Sequence, residues 1–320
     1  MRIVIALAES ALHRRGEKGC SEDEAHHVRA AAAQLARVAD GNDLVIVHDN
    51  EHHNGHHRSA VPASRDRAPF HNGEIERDVF DAETNVGVGC RFELELRNCL
   101  TSARPCATLL TMVEVDRADP AFEHPDKAIG AFIVDERALA AAHAKHWSLT
   151  HDGIGYRRVV PNPRPKRLLQ TQPLHRLIEQ GTVVMCSGGG MPVVAAADGA
   201  LQGVQAFIDP YGGAALIAET IDADLFVIAT DMAGVILDCG TANSKLLRHG
   251  HPSAVREFAL SAGAMAPKLH AASRFAERTG RRAAIGALAD VERLVDGTAG
   301  TTISCERVDP SSILGGSVAR

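Results

Sequence analysis

Glu51-His52-His53-Asn54-Gly55-His56-His57 packs four imidazoles and a carboxylate into seven consecutive positions. His52 and His56 are four apart, as are His53 and His57, so on a helix each pair would share one face, which suits two imidazoles on one metal ion. His48 and Asp49 lie just upstream. The set His48, Asp49, Glu51, His52, His53 and His56 offers the nitrogen and oxygen donors that bind zinc, iron, nickel or manganese. The same residues also describe a solvated polar loop that takes up metal adventitiously. Spacing does not select which of them would be ligands.

Further along, Gly188-Gly189-Gly190 follows a short apolar run ending in Cys186. Consecutive glycines let backbone N–H groups turn toward an anion, and they also serve simple close packing. Cys186 stands where a nucleophile could act, but no neighbouring base is evident. The seven cysteines are scattered without a CxxC pair and read as reduced, structural thiols.

The elements that must position these residues are those of a soluble globular chain. At 320 residues and 34.0 kDa, it is expected to be a single domain over 1–320, with a protruding lobe over 116–164. Hydrophobic residues at 45% and charged residues at 23% exclude a disordered chain. A net charge of −6 argues against a cationic nucleic-acid surface, and 4% aromatics argue against base-stacking platforms. No apolar run is long enough to span a bilayer, and Ile3–Leu7 is too short for a signal peptide. The expectation is a cytoplasmic protein acting on a small molecule, with neither nucleic acid nor membrane as partner.

Arg2–Leu7 and Leu44–Val47 read as buried strands, joined by a helix that starts at a Ser21/Glu24 capping box and stops at Gly41. Strand–helix–strand order implies a parallel sheet covered by helices. Further strands are expected at 107–115, 182–186, 204–208, 225–229 and 282–285, with an edge strand at 301–304. Helices are expected at 88–100, 214–221 and 267–278, the last ended by Gly280. The fold class is therefore α/β, a three-layer αβα sandwich with a mostly parallel central sheet. Ligands in such sheets bind beyond the strands' carboxyl ends, here the loops beginning at Ala8, His48, Ser187, Asp209 and Thr230.

Those loops and their neighbours carry a family resemblance. The stretches are His13-Arg-Arg-Gly-Glu17, Lys127-Ala-Ile-Gly130, Tyr156-Arg-Arg-Val-Val-Pro161, Gly188-Gly-Gly-Met-Pro-Val193, Asp222 through Asp231, Met265-Ala-Pro-Lys268, Arg282 through Asp290 and Gly300-Thr-Thr302. In this order and spacing the chain resembles the carbamate kinases of the amino acid kinase superfamily over nearly its whole length. The resemblance implies an amino acid kinase (carbamate kinase-like) fold, a homodimer, and an ATP and carbamate site at the strand ends. It implies phosphate- or substrate-contacting roles for Lys127 and Lys268, and substrate contacts for Ser10, Asn50, Gly188, Gly189, Gly190, Tyr211 and Asp231.

Several loops depart from the family pattern. Ala8-Glu9-Ser10 stands where the family has Gly-Gly-Asn, and His48-Asp49-Asn50-Glu51-His52-His53 where it has His-Gly-Asn-Gly-Pro-Gln. Asp209-Pro210-Tyr211 replaces Asp-Lys-Asp, so a lysine is gone and Tyr211 fills its space or serves as a general acid. Glu9 brings negative charge toward the phosphate position, where like charges at about 4 Å repel by about 4 kcal/mol at an effective dielectric of about 20. These departures put ATP use in doubt and favour a divalent transition metal, held by the His-carboxylate set with Glu9, as the cofactor. The leading expectation is a repurposed enzyme on the carbamate kinase fold that has lost ordinary phosphoryl transfer. It would act on a small carbamate-like, carboxylate or amide substrate, with Glu9, Lys127 and Lys268 as catalytic residues. An active ATP-dependent carbamate kinase-type phosphotransferase and a non-catalytic pseudokinase are the alternatives.

Overall fold

A computed structural model describes residues 1–12, 21–48, 77–101, 103–151, 153, 155–241, 243–259, 263–309 and 313–317. The chain opens with β1 (Arg2–Leu7), the short helix α1 (Glu9–Leu12), α2 (Ser21–Ala39) and β2 (Asp43–His48). Next come α3 (Arg77–Cys99), β3 (Cys106–Leu109) and β4 (Met112–Glu114). A separate three-stranded antiparallel sheet follows, from β5 (Lys127–Ile133), β6 (Leu149–His151) and β7 (Tyr156–Val160), with α4 (Glu136–Ala144) between β5 and β6. The chain returns through β8 (Arg167–Leu168), α5 (Thr171–Glu179), β9 (Val183–Cys186), β10 (Met191–Ala195), β11 (Leu201–Gly203), α6 (Pro210–Thr220) and β12 (Leu225–Thr230). It ends with β13 (Ile236–Leu237), β14 (Lys245–Leu247), β15 (His249–Gly250), α7 (Pro252–Ala259), α8 (Ala266–Thr279), β16 (Ala283–Ala287), α9 (Val291–Val295), β17 (Thr301–Ile303) and β18 (Leu314–Ser317).

The main sheet has eight strands in the order β15-β17-β16-β12-β1-β2-β9-β3. Its pairings are parallel except β16–β17. Strands buried on both faces must be apolar along their buried length, and β1 is from Ile3 onward: Val4, Ala6 and, just beyond the strand, Ala8 pack into one core while Ile3, Ile5 and Leu7 pack into the other. The first core is roofed by α5, α6, α7 and α8, and the second by α2, α3 and α9. This is the expected αβα sandwich. Each large side chain buried there, such as Phe92, Phe226 or Leu35, contributes about 1.5–3 kcal/mol.

Helix boundaries follow local chemistry. Pro267 lies in the first turn of α8, where a missing N–H costs nothing, and Gly280 ends it with φ of 70°, its N–H bonded to Ala276 O. Asp209 caps α6, its Oδ1 accepting the Gly212 N–H at 2.8 Å.

Three expected elements differ from those observed. The apolar run 107–115 is two strands, because the chain turns at Leu110-Thr111 and changes sheet: β3 pairs with β9, and β4 pairs with β10 and β8. The run 204–208 is not a strand, since its apolar residues are buried in small side clusters with Val115, Ile129 and Val160. β17 is not at the edge, because β15 pairs outside it.

One close approach fixes α6 against the sheet. A Cβ added at Gly213 would lie 2.7 Å from Gly189 Cα and 2.8 Å from Gly189 O. In an unconstrained helix Gly→Ala stabilises by up to about 1 kcal/mol. Here Gly213→Ala is expected to destabilise by about 1–3 kcal/mol, read from the midpoint of urea unfolding; a stabilised variant would show that the contact is not tight.

Candidate functional site

Parallel pairing brings several carboxyl strand ends to one edge of the main sheet. Leu7 stands opposite both His48 and Ala229, Val47 opposite Cys186, and Thr230 opposite Ala287. The ladder continues one step beyond β1, where Ala8 N–H donates to Ala229 O at 2.8 Å. Glu9 and Ser10 follow at once as the first two residues of α1, both half-buried. Asp231 follows β12 and is exposed, with Thr230 Oγ1 donating to its Oδ1 at 3.2 Å.

The glycine turn after β9 is a tight piece of backbone. Gly189 and Gly190 have φ of 69° and 84°, a region costly for any residue with a Cβ. A Cβ at Gly189 would sit 2.3 Å from Ile208 O, and one at Gly190 2.7 Å from Val113 Cγ2. Ser187, which stands where the family's first glycine would be, anchors the turn. Its Oγ accepts the Thr111 N–H at 2.9 Å and lies 2.8 Å from Thr111 Oγ1, both residues being buried. Met191 N–H donates to Thr111 O at 2.9 Å, so Thr111 holds the turn at both ends. Sequence reasoning missed Thr111, because its partner is 76 positions away.

Two lysines flank the segment that enters α6. Lys127 begins β5 opposite Val160 and places its Nζ 4.6 Å from the centroid of the Phe207 ring. Lys268, in the first turn of α8, places its Nζ 4.4 Å from the Tyr211 ring centroid, and donates to Ala264 O at 3.2 Å. Tyr211 is 6% exposed and packs in the core with α6. The segment is tied to the small sheet's end, with Phe207 N–H donating to Pro161 O at 2.8 Å and Asp209 N–H to Asn162 Oδ1 at 3.1 Å. Glycine turn, capped helix start and two ammonium groups are therefore grouped along residues 207–213, with the Asp209 carboxylate among them.

Of the six residues expected to hold a metal, His48 is the one among the described residues. His48 ends β2 with no exposed surface, on the strand face it shares with Leu44 and Ile46, so its imidazole lies inside the fold. Asp49, Asn50, Glu51, His52, His53 and His56 lie outside the described residues. Among the described residues no group of three or more His, Cys, Asp and Glu could hold a metal ion.

Cys186 is not an activated nucleophile, since full burial pushes its thiol up to about 12. Cys106, also buried, is pushed up to about 11 by burial and then by the nearby Glu93 carboxylate. Folded thiols that hold their protons above the usual value of 9.0 stabilise fully below that pH. The unfolded chain then releases protons that the native state keeps, so stability falls as pH rises from 9 toward 12, by at most about 1.4 kcal/mol per pH unit per thiol. Urea midpoints across this range are expected to fall less steeply for Cys186→Ala than for the parent chain, and parallel profiles would contradict the assignment.

A match to the amino acid kinase family covers residues 1–287. A carbamate kinase of Haemophilus influenzae is 43% identical over 95% of this chain and 97% of its own length. One from Pyrococcus furiosus is 35% identical over 94% and 98%. Among solved structures, a carbamate kinase from Giardia lamblia bound to AMP-PNP superposes with a TM-score of 0.82 at 26% identity, covering 95% of this chain and 98% of the other. These relatives overturn two expectations, the repurposed enzyme that has lost phosphoryl transfer and the replacement of ATP by a transition metal. Substitutions in a few loops weigh less than identity sustained along the chain with relatives named as kinases, one of which binds an ATP analogue. By sequence and by fold, the chain belongs to the amino acid kinase family.

Proposed function

We propose that the protein is an active ATP-dependent phosphotransferase of the carbamate kinase type. The observation that carries this reading is 43% identity to a carbamate kinase over 95% of the chain. In the forward direction a carbamate oxygen attacks the γ-phosphorus of ATP, the bond to the β-phosphate oxygen breaks, and ADP and carbamoyl phosphate leave. No covalent enzyme intermediate and no oxidant are required. The protein's task is to align the two anions and to stabilise the charge on the moving phosphoryl group.

The residues at the strand ends suit that task. Lys127 and Lys268 supply positive charge, and the Gly188-Gly189-Gly190 turn offers backbone donors. Ser10 and Asn50 are assigned to the small acceptor, and Asp231 to the polar rim on the nucleotide side. Glu9 opposes this work, because a carboxylate directly after β1 repels phosphate. A small-molecule substrate and a homodimer complete the reading; a dimer mass by sedimentation equilibrium supports the second, and a monomer removes it.

ATP formation from ADP and carbamoyl phosphate is the direct assay. Lys268→Ala and Lys127→Ala are each expected to lower kcat/KM by about 10²–10³ without changing the circular dichroism spectrum. Wild-type protein that neither binds AMP-PNP nor forms ATP would overturn the reading. Glu9→Gln is expected to tighten AMP-PNP binding by at least about fivefold in calorimetry, since like charges about 4 Å apart repel by about 1 kcal/mol in bulk water and by more where water is partly excluded. Unchanged affinity would move Glu9 away from the nucleotide.

A further inference from the structure

We propose that Thr111 and Ser187 are positioning residues for an anionic ligand, their two hydroxyls fixing the direction in which the glycine turn presents its backbone N–H groups. This rests on the anion-binding role given to that turn above. Both side chains are buried, Thr111 with no exposed surface and Ser187 at 2%. Three contacts join them. Thr111 N–H donates to Ser187 Oγ at 2.9 Å, the two hydroxyl oxygens lie 2.8 Å apart, and Thr111 Oγ1 donates to Ser187 O at 3.2 Å. One direction of protons satisfies all three. Thr111 Oγ1 gives its proton to Ser187 O, and Ser187 Oγ gives its own to Thr111 Oγ1 while accepting the Thr111 N–H. Each hydroxyl then donates once and accepts once, with no proton left for a ligand. The pair acts on a ligand through the backbone, not by contact.

A planar trans peptide sets its N–H opposite to its C=O. With Ser187 O turned onto Thr111, the Gly188 N–H points away from the buried pair. Thr111 also takes the far end of the turn, its carbonyl oxygen accepting the Met191 N–H at 2.9 Å. Between these two points the N–H groups of Gly188, Gly189 and Gly190 make no hydrogen bond to a described residue. Gly189 and Gly190 are buried. Unpaired backbone donors in buried residues cost free energy until an acceptor arrives, and a run of three suits the oxygens of one anion. The close packing of Gly189 on Ile208 O holds the middle of the turn. The Ser187–Gly188 peptide has no such contact, and glycine on its far side restrains it little. Rotation of that peptide is the freedom that the hydroxyl pair removes.

One labelling scheme reads this peptide alone. Ser187-Gly188 is the one Ser-Gly pair in the sequence, so serine labelled at its carbonyl carbon and glycine at its nitrogen give a single resonance, that of the Gly188 amide. Full-length protein labelled in this way is titrated with inorganic pyrophosphate and with AMP-PNP. In wild type the Gly188 amide proton is expected to move downfield as either probe binds. Thr111→Val keeps the shape and the N–H but lacks the hydroxyl. It is expected to weaken both probes by about 10- to 100-fold, the scale of a hydrogen bond to a charged group, and to abolish the Gly188 shift. Thr111→Ser restores the hydroxyl and is expected to return most of the affinity. Ser187→Ala is expected to match Thr111→Val, and the double variant to bind no more weakly than either single, as two halves of one device do. Leu35→Ala, a truncation in the opposite core, lowers the urea midpoint without touching the turn and is expected to bind as wild type does. Wild-type affinity in Thr111→Val, an equal loss in Thr111→Ser or in Leu35→Ala, or a Gly188 signal that stays still while wild-type protein binds pyrophosphate, overturns the proposal. Wild-type protein that binds pyrophosphate with the Gly188 shift but forms no ATP removes the kinase reading and leaves the positioning role standing. Binding of neither probe overturns both.

Discussion

The contact between the glycine turn and α6 governs the carboxyl edge of the sheet. Gly189 and Gly213 meet backbone to backbone, and Gly189 also lies against Ile208 O, with no room for a methyl group at either glycine. That approach brings the helix start down onto the end of β9. Tyr211 then turns into the core beneath Lys268, and the 207–209 segment comes within hydrogen-bond reach of the small sheet. Two further devices keep the turn in register: the buried Ser187–Thr111 pair on the side of β3 and β4, and the Asp209 cap on the helix side. The first is a neutral pair, whereas the second is a half-buried carboxylate that accepts a helix N–H.

The small sheet's place follows from the same arrangement. β5 and β7 set Lys127 opposite Val160, and the chain leaving β7 runs directly into Pro161 and Asn162, the residues that hold the helix entrance. Lys127 thus reaches the site through strand pairing, whereas Lys268 reaches it through the first turn of a helix packed on the main sheet. Two independent scaffolds deliver like charges to one segment, at positions where side-chain freedom is limited by an aromatic face on each.

Much of the fold was legible because its signals are local. β1, β2, β9 and β12 each centre on an uninterrupted apolar run, and α8 is bounded by a first-turn proline and a terminal glycine. The misreadings share a cause. Nothing local in 107–115 reveals that the chain changes sheet at Leu110-Thr111, and nothing in 204–208 reveals that its apolar residues are buried without a strand partner. Lys127, Lys268 and the glycines stand out in the sequence, but the residues that touch them do not. Phe207, Thr111 and Asn162 act across long sequence distances, and Tyr211 meets Lys268 from a separate helix. Weighing loop substitutions above similarity sustained along the chain led the functional reading toward a new chemistry.

The strand order has a consequence for how the protein is made. β2 follows β1 closely in the chain, so it can cover one of the edges of β1 early in synthesis. The other partner of β1, β12, begins only at Leu225. At synthesis rates of about 5–20 residues per second, one of the two central strands of the sheet waits about 10–40 s with one row of amides and carbonyls unpaired. The nascent chain must keep that edge from pairing with a neighbour for as long as the missing strand is still being written.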